Sequence, residues 1–300
     1  MSAATSHPAQ LEGPLLLPRH WAGYSAIDCV DIAVCAVVGT GQTGHEAFAE
    51  TNDHGQSWSV DSTFPLPKIP GPGLPGGVES FSVIDCVSAA RCILGGNVIA
   101  PEFAVVLTTR DGGRSWTVGR LPATEAGDNA IGGLYCSRAG HCLAGGLYIR
   151  NVLMSNDFGA TWRVGAALRG GDSLTGITCM ASQECLAATG EQAGGSGFRS
   201  DNGGRTWQSS PLPGNVWYIE CPGVRECVAT WDGAWYSNDG GSLWHRAQIR
   251  GPSSAGRTEL FSPSCPTTEL CVALALPAKA RLAVIADSVD GGRTWNVTAH

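Results

Sequence analysis

The feature that most constrains this chain is an octet, Ser288-Val289-Asp290-Gly291-Gly292-Arg293-Thr294-Trp295, the last of six copies. The others span 51–58, 109–116, 155–162, 200–207 and 237–244. All follow one pattern: Ser/Thr, any, Asp, any, Gly, any, Ser/Thr, Trp. Two copies depart from it, with Asn202 in the Asp place and Leu243 in the second hydroxyl place. A short carboxylate or carboxamide at the third position can accept hydrogen bonds from backbone N–H groups two or three residues on. The glycine two residues later adopts φ > 0 at no steric cost. The closing tryptophan carries a large apolar surface toward a core between sheets. Asp53, Asp111, Asp157, Asn202, Asp239 and Asp290 are therefore read as turn-building residues, with no part in chemistry on a substrate.

The cysteines repeat with the same beat. Twelve of them form six pairs of one spacing: Cys29 with Cys35, Cys86 with Cys92, Cys136 with Cys142, Cys179 with Cys185, Cys221 with Cys227, and Cys265 with Cys271. Five intervening residues match none of the usual zinc spacings. Two strands joined by a short turn would set each pair opposite itself, within reach of a disulfide. Each closed ring would add about 2 kcal/mol by the loop-entropy account. The alternative is six pairs of buried thiols in a reducing compartment; regular pairing along the whole chain favours an oxidising one. Met1 to Gly13 has neither a basic n-region nor an apolar h-region. An extracellular or periplasmic protein whose export signal has been removed from this chain is the expectation.

Each unit reads as an apolar segment into the first cysteine, a turn, and an apolar segment from the second. A variable loop, a third apolar segment, the octet and a polar strand complete it. Four strands in about 45 residues make one propeller blade. The sequence thus predicts an all-β, six-bladed β-propeller with four antiparallel strands per blade, spanning 21–300, with 1–20 as a tail or ring-closing segment. The composition agrees, with 41 Gly and 17 Pro in 300 residues and only 15% charged residues. A net charge of −7 without a basic run argues against nucleic acid and anionic membrane as partners. No apolar run reaches the length of a membrane span.

The octet resembles the Asp box, or bacterial neuraminidase repeat, of sialidases, related glycosidases, sortilin-type receptors and photosystem II assembly-factor-like proteins. The resemblance implies that the box lies on the turn between the third and fourth strands of each blade. It implies little about activity, because the functions of that family diverge. Sialidases also carry an arginine triad, one member in a Phe/Tyr-Arg-Ile-Pro stretch. Here Leu17-Pro18-Arg19-His20 and Gly119-Arg120-Leu121-Pro122 come nearest and do not match, so sialidase activity is not expected.

With strands counted outward from the channel, the cysteine hairpins and the octets share one face. The loops between second and third strands share the other with the blade linkers, and ligands are expected on that loop face. Setting aside the octets, three of the four remaining tryptophans, Trp217, Trp231 and Trp235, belong to the fifth unit. Trp217, Tyr218 and Trp231, with Asp232 beside them, form the candidate ligand site: an aromatic platform with a carboxylate to accept hydrogen bonds. Packing between blades is the alternative for all three rings, and Trp235 is read as core.

Loop carboxylates at Glu46, Glu79, Glu102, Glu125, Asp128, Asp172, Glu191, Asp232 and Glu259 offer many pairs for a glycosidase and no way to choose among them. Asp28, Asp85 and Glu220, each just before a first cysteine, can line the channel as an acidic ring or simply as polar wall. No phosphate cradle, zinc-binding His pair or nucleophile elbow is present, so neither cofactor nor metal is expected. The leading expectation is a secreted, monomeric propeller that binds a carbohydrate, small molecule or protein partner. A glycoside hydrolase or polysaccharide lyase, and an assembly or scaffold factor, are the competing classes.

Overall fold

The computed structural model describes residues 15–61, 78–98, 103–123, 130–147, 149, 151–168, 173–180, 183–190, 195–214, 216–231, 233–251, 258–278 and 280–297. These form six sheets, each with four antiparallel strands that follow one another in the chain. In the first, Gly23–Cys29, Cys35–Thr40, Glu46–Thr51 and Ser59–Asp61 run in order. The first strands of successive sheets meet one another, and Gly23–Cys29 meets Thr258–Ser264 of the sixth, which closes the ring around a channel. The last sheet holds one further strand. Gln248–Arg250, from the linker after the fifth blade, pairs in parallel with the outermost strand Thr294–Val297.

All twelve cysteines are oxidised, and each pair closes its own hairpin as the spacing predicts. The bonds join Cys29 to Cys35, Cys86 to Cys92 and Cys136 to Cys142 in the first three blades. Cys179 to Cys185, Cys221 to Cys227 and Cys265 to Cys271 follow in the other three. Their Cα atoms lie 3.9–4.1 Å apart, the close approach of residues directly opposite on antiparallel strands.

The octets form the turns between third and fourth strands, through a bond pattern that repeats in detail. In the first copy the Thr51 hydroxyl donates to Asp53 Oδ1 at 2.7 Å and accepts from Gly55 N at 2.9 Å. Asp53 in turn accepts from Ser57 N at 2.9 Å and from its hydroxyl at 2.5 Å. The N–H that this carboxylate takes thus lies four residues on, whereas Asp239 of the fifth copy accepts both from Ser242 N, three residues on, at 3.0 Å and from Leu243 N, four on, at 2.9 Å. Asn202 keeps the same contact, accepting from Thr206 N at 2.9 Å, and donates through its amide to the Thr206 hydroxyl. Two consecutive residues, not one, carry positive φ in every octet. The first of them is a glycine in four copies, His54 (63°) in one and Phe158 (60°) in another.

The closing tryptophans pack against the preceding blade. Trp116 meets Phe48 edge-on at 5.4 Å, and Trp295, with no exposed surface, shares a core with Val228. At the seam between first and last blades, Leu15 and Trp21 join a buried cluster with Val37, Ala49, Leu274 and Ile285. Trp58 Nε1 donates to Leu16 O at 2.6 Å, whereas Trp116, Trp162 and Trp207 donate to a glycine carbonyl of their own octets. From Leu15 onward the N-terminal segment therefore packs across the seam. The sixth blade takes its strands from 248–297 alone.

Candidate functional site

Five of the six innermost strands carry a bulge at the same place, four residues before the first cysteine. A bulge leaves one residue unpaired and re-aims its side chain. The residues there are Ser25, Ser82, Gly132, Thr175 and, in the fifth blade, Trp217. Four small side chains thus face one indole. The next residue along is Tyr218, where the other blades have Ala26, Val83, Gly133, Gly176 and Ser262. On the second strand, four residues after the second cysteine, Trp231 stands where Gly39, Gly96, Gly146, Thr189 and Ala275 stand elsewhere. A Cβ built on Gly39, Gly96 or Gly146 would meet a carbonyl oxygen of the inner strand at 2.3 Å or less, which explains the glycines there. The fifth blade therefore replaces small residues by aromatics at three neighbouring positions.

These three rings meet. Trp217 and Trp231 stack with centroids 4.7 Å apart and planes 16° from parallel, and the Tyr218 ring lies 6.2 Å from that of Trp231. Trp217 also lies over Gly190 of the fourth blade, where an added Cβ would come within 3.2 Å of the indole. All three are half-buried, and burial pushes the Tyr218 phenol up to about 12. Trp231 has φ of 154°, in a region that residues with a side chain rarely adopt, and Gly233, its cross-strand partner, has φ of 107°. Only Asp232 separates the two, and it lies outside the described residues. Trp235, read as core, is half-buried against the Ala188, Val216 and Ala229 cluster.

The channel holds the second constellation. A cavity of about 340 Å³ reaches the hairpin turns at Val30, Val87, Arg138 and Pro266, and Asp28, Asp85 and Glu220 line it. At Asp28, Asp85, Tyr135, Glu220 and Ser264 the residue before the first cysteine therefore does face the channel, and in three blades it also ties one blade to the next. Asp28 Oδ2 accepts from Cys86 N at 2.6 Å, Asp85 Oδ2 from Cys136 N at 2.8 Å, and Ser264 Oγ from Cys29 N at 2.9 Å. The Ser264 hydroxyl donates to Asp28 Oδ1 at 2.5 Å. Burial raises all three carboxyls, those of Asp85 and Glu220 well above the ordinary range. Their negative neighbours push the same way, the Asp28 charge acting on Asp85 and both aspartates on Glu220. Burial, with the charges of Asp85 and Glu220, takes the Tyr135 phenol up to about 12.

Of the loop carboxylates, Glu46 and Glu259 are described at side-chain level. Glu46 accepts from Phe81 N at 3.3 Å and lines a cavity of about 320 Å³ with Arg19 and Trp21; burial takes its carboxyl up to about 7. Glu102, Glu125, Asp128, Asp172 and Glu191 fall outside the described residues, and of Glu79 only the backbone is described. The long 61–79 linker also lies almost wholly outside them. Sequence reasoning passed over the basic cavity of about 530 Å³ on the hairpin face, lined by Arg138, His141, Gln183, Asn202 and Arg205. Two arginines inside repeated turns, at Arg138 and Arg205, were its only signal.

No family model matches the chain, and no curated protein matches it. Solved structures do. A structure of YCF48 bound to D1 peptide is 16% identical, with 95% of this chain and 88% of that one covered and a TM-score of 0.55. The GH74 enzyme of Niastella koreensis is 12% identical, with 92% of this chain and 47% of that one covered and a TM-score of 0.57. A streptogramin B lyase is 10% identical, with 96% and 87% covered and a TM-score of 0.61. The chain is an all-β, six-bladed propeller, and at these identities the fold is what it shares with these proteins.

Proposed function

We propose that the protein is a binding propeller that captures a protein partner at its loop face, with Trp217, Tyr218, Trp231 and Asp232 as the contact residues. The observation that carries this reading is the break in the repeat. Three positions held small in the other blades are aromatic in the fifth, and one of the aromatics holds a backbone conformation that costs about 1–3 kcal/mol. Strain of that size is typical of sites kept for recognition. Tryptophan and tyrosine are also the side chains that most often anchor protein interfaces. The neighbouring structure that holds a D1 peptide supports a peptide as the first ligand class to test. Six disulfides support an exported, extracellular or periplasmic protein. In this reading 21–300 is one propeller and 1–20 a tail or ring-closing segment, and the protein works as a monomer.

The test is a selection of random displayed peptides on the whole protein, followed by affinity measurement on the Trp231→Gly variant. Loss of about 1–3 kcal/mol in affinity for the selected peptides supports the anchor. Peptides that bind both proteins equally place the contact surface elsewhere. Hydrolysis or eliminative cleavage of a polysaccharide panel by the wild-type protein would replace the binding reading with the glycosidase or lyase one.

A further inference from the structure

The hairpin-face cavity between the third and fourth blades belongs to neither constellation, and the repeat supplies its controls. Three octets carry arginine at the sixth place: Arg114, Arg205 and Arg293. Arg114 donates to the Asp111 carbonyl, and it lines a cavity with the carboxylates of Asp111 and of Glu50 from the blade before. Arg293 donates to the Asp290 carbonyl and, at 2.8 Å, to Asn238 Oδ1 of the blade before. Its guanidinium lies 5.2 Å from the centre of the Tyr236 ring. Each of these two guanidiniums thus has partners in its own octet and in the preceding blade.

Arg205 has none of them. Its octet holds Asn202 in place of the carboxylate, and Met154 stands where the other two boundaries place Glu50 and Tyr236. Asn156 occupies the place of Asn238, but its Oδ1 lies 3.1 Å from His141 Nδ1, while His141 Nε2 lies 3.1 Å from Gly203 O. Among the described residues nothing accepts a hydrogen bond from Arg205, which lines the cavity of about 530 Å³ instead. Arg138 of the third blade, which also borders the channel, lines it likewise without an acceptor. Both guanidiniums are exposed, and among the described residues no carboxylate lines this cavity.

Two guanidinium forks on one cavity, with no counter-charge in its wall, match the paired oxygens of a carboxylate or sulfate group. The rest of the wall is largely apolar, with Tyr135, Ala139 and the adaptable Met180. The volume falls within the roughly 300–1,000 Å³ of small-molecule sites, far larger than a bare ion needs.

We propose that this cavity binds a small organic anion, a carboxylate or sulfate group on an apolar body, with Arg205 and Arg138 holding the charged head and the Met180 wall covering the body. The proposal stands independently of the loop-face reading, since neither Trp217 nor Trp231 lines this cavity.

The experiment titrates the whole protein, at neutral pH and low salt, with benzoate, phenyl sulfate, inorganic sulfate and the neutral benzamide. At least one aromatic anion is expected to bind at millimolar concentration, inorganic sulfate more weakly and benzamide not at all. The tighter of the two aromatic anions identifies the head group. Arg205→Gln should weaken that binding about tenfold or more. It should leave the melting temperature unchanged, because the side chain makes no hydrogen bond in the free protein. Arg114→Gln, at a guanidinium that already has its counter-charges, should bind like the wild type. Asn202→Asp restores the third residue of the other octets and sets a carboxylate beside Arg205, so it should keep the turn and weaken binding. The proposal is overturned if neither aromatic anion binds, if benzamide or inorganic sulfate binds as tightly as they do, or if Arg205→Gln binds like the wild type. Should that variant not fold, Asn202→Asp decides in its place. Trp231→Gly should retain the anion, whether or not it retains the loop-face peptides.

Discussion

Ser155 is 2% exposed, and its hydroxyl both donates to Asp157 Oδ1 and accepts from Gly159 N at 2.9 Å. Replacing it by alanine strands a buried amide, so Ser155→Ala should cost about 1–3 kcal/mol in denaturant unfolding. The fifth octet invites the reverse change. Leu243 is 58% exposed where the other copies place a hydroxyl on the octet carboxylate or carboxamide, as Thr161 does on Asp157 at 2.6 Å. Leu243→Thr should therefore stabilise the protein, by about 0.5–1.5 kcal/mol if one hydrogen bond is regained. The sequence pattern exposed both residues as members or departures of the repeat, but not what the first hydroxyl does. Nor did it show the second left-handed residue, because His54 and Phe158 hide a position that glycine fills in the other four copies. The Phe158 ring instead lies under the Arg91 guanidinium at 4.2 Å, a contact between blades that local pattern cannot predict.

At the scale of elements, the inner strands are the joints of the ring. Asp85 takes the Cys136 N–H across the boundary between second and third blades while sharing the channel with Asp28 and Glu220. Its folded carboxyl is raised, so the folded state holds the proton more tightly than the unfolded chain does. Stability from this group is therefore full below the ordinary carboxyl value near 4 and falls as pH rises toward the folded value. Asp85→Asn keeps an acceptor and removes the charge. It should raise the melting temperature at pH 8 and leave it nearly unchanged at about pH 4, whereas Asp85→Ala should lower it at both. An Asp85→Asn curve parallel to the wild type across that range would mean that the channel carboxyls carry no such strain. The inward direction of Asp28, Asp85 and Glu220 was legible from their place beside the cysteines. Their bonds to the neighbouring blade were not, since they depend on how inner strands stagger around the ring. The extra strand Gln248–Arg250 was equally hidden, its pairing set by the finished sixth blade and not by its own residues.

Taken whole, the molecule is a ring of nearly equivalent units, and the equivalence makes its exceptions readable. The repeats specified the six blades and the cysteine hairpins, because octet and pair recur in register. They did not specify the seam, where Leu15, Leu16 and Trp21 belong to no repeat and replace contacts made elsewhere by the octets. The tryptophan excess of the fifth blade was visible in the sequence; the bulge that aims Trp217 and the small residues it supplants became visible only with strand register. That asymmetry is the centre of the account, in which the fifth blade departs from the ring for recognition and at some expense to folding. The thermal unfolding midpoint of Trp231→Gly tests it most directly. Glycine at this position is what three other blades use, and it releases the strain held at φ of 154°. Loss of the stacking contact, about 0.5–1.5 kcal/mol, and of the apolar area this half-buried ring covers should then be offset in large part by about 1–3 kcal/mol of relieved strain. The account predicts a midpoint close to that of the wild type. A fall as large as that of Trp295→Ala, a core truncation worth about 3–5 kcal/mol, would contradict it and make Trp231 a packing residue.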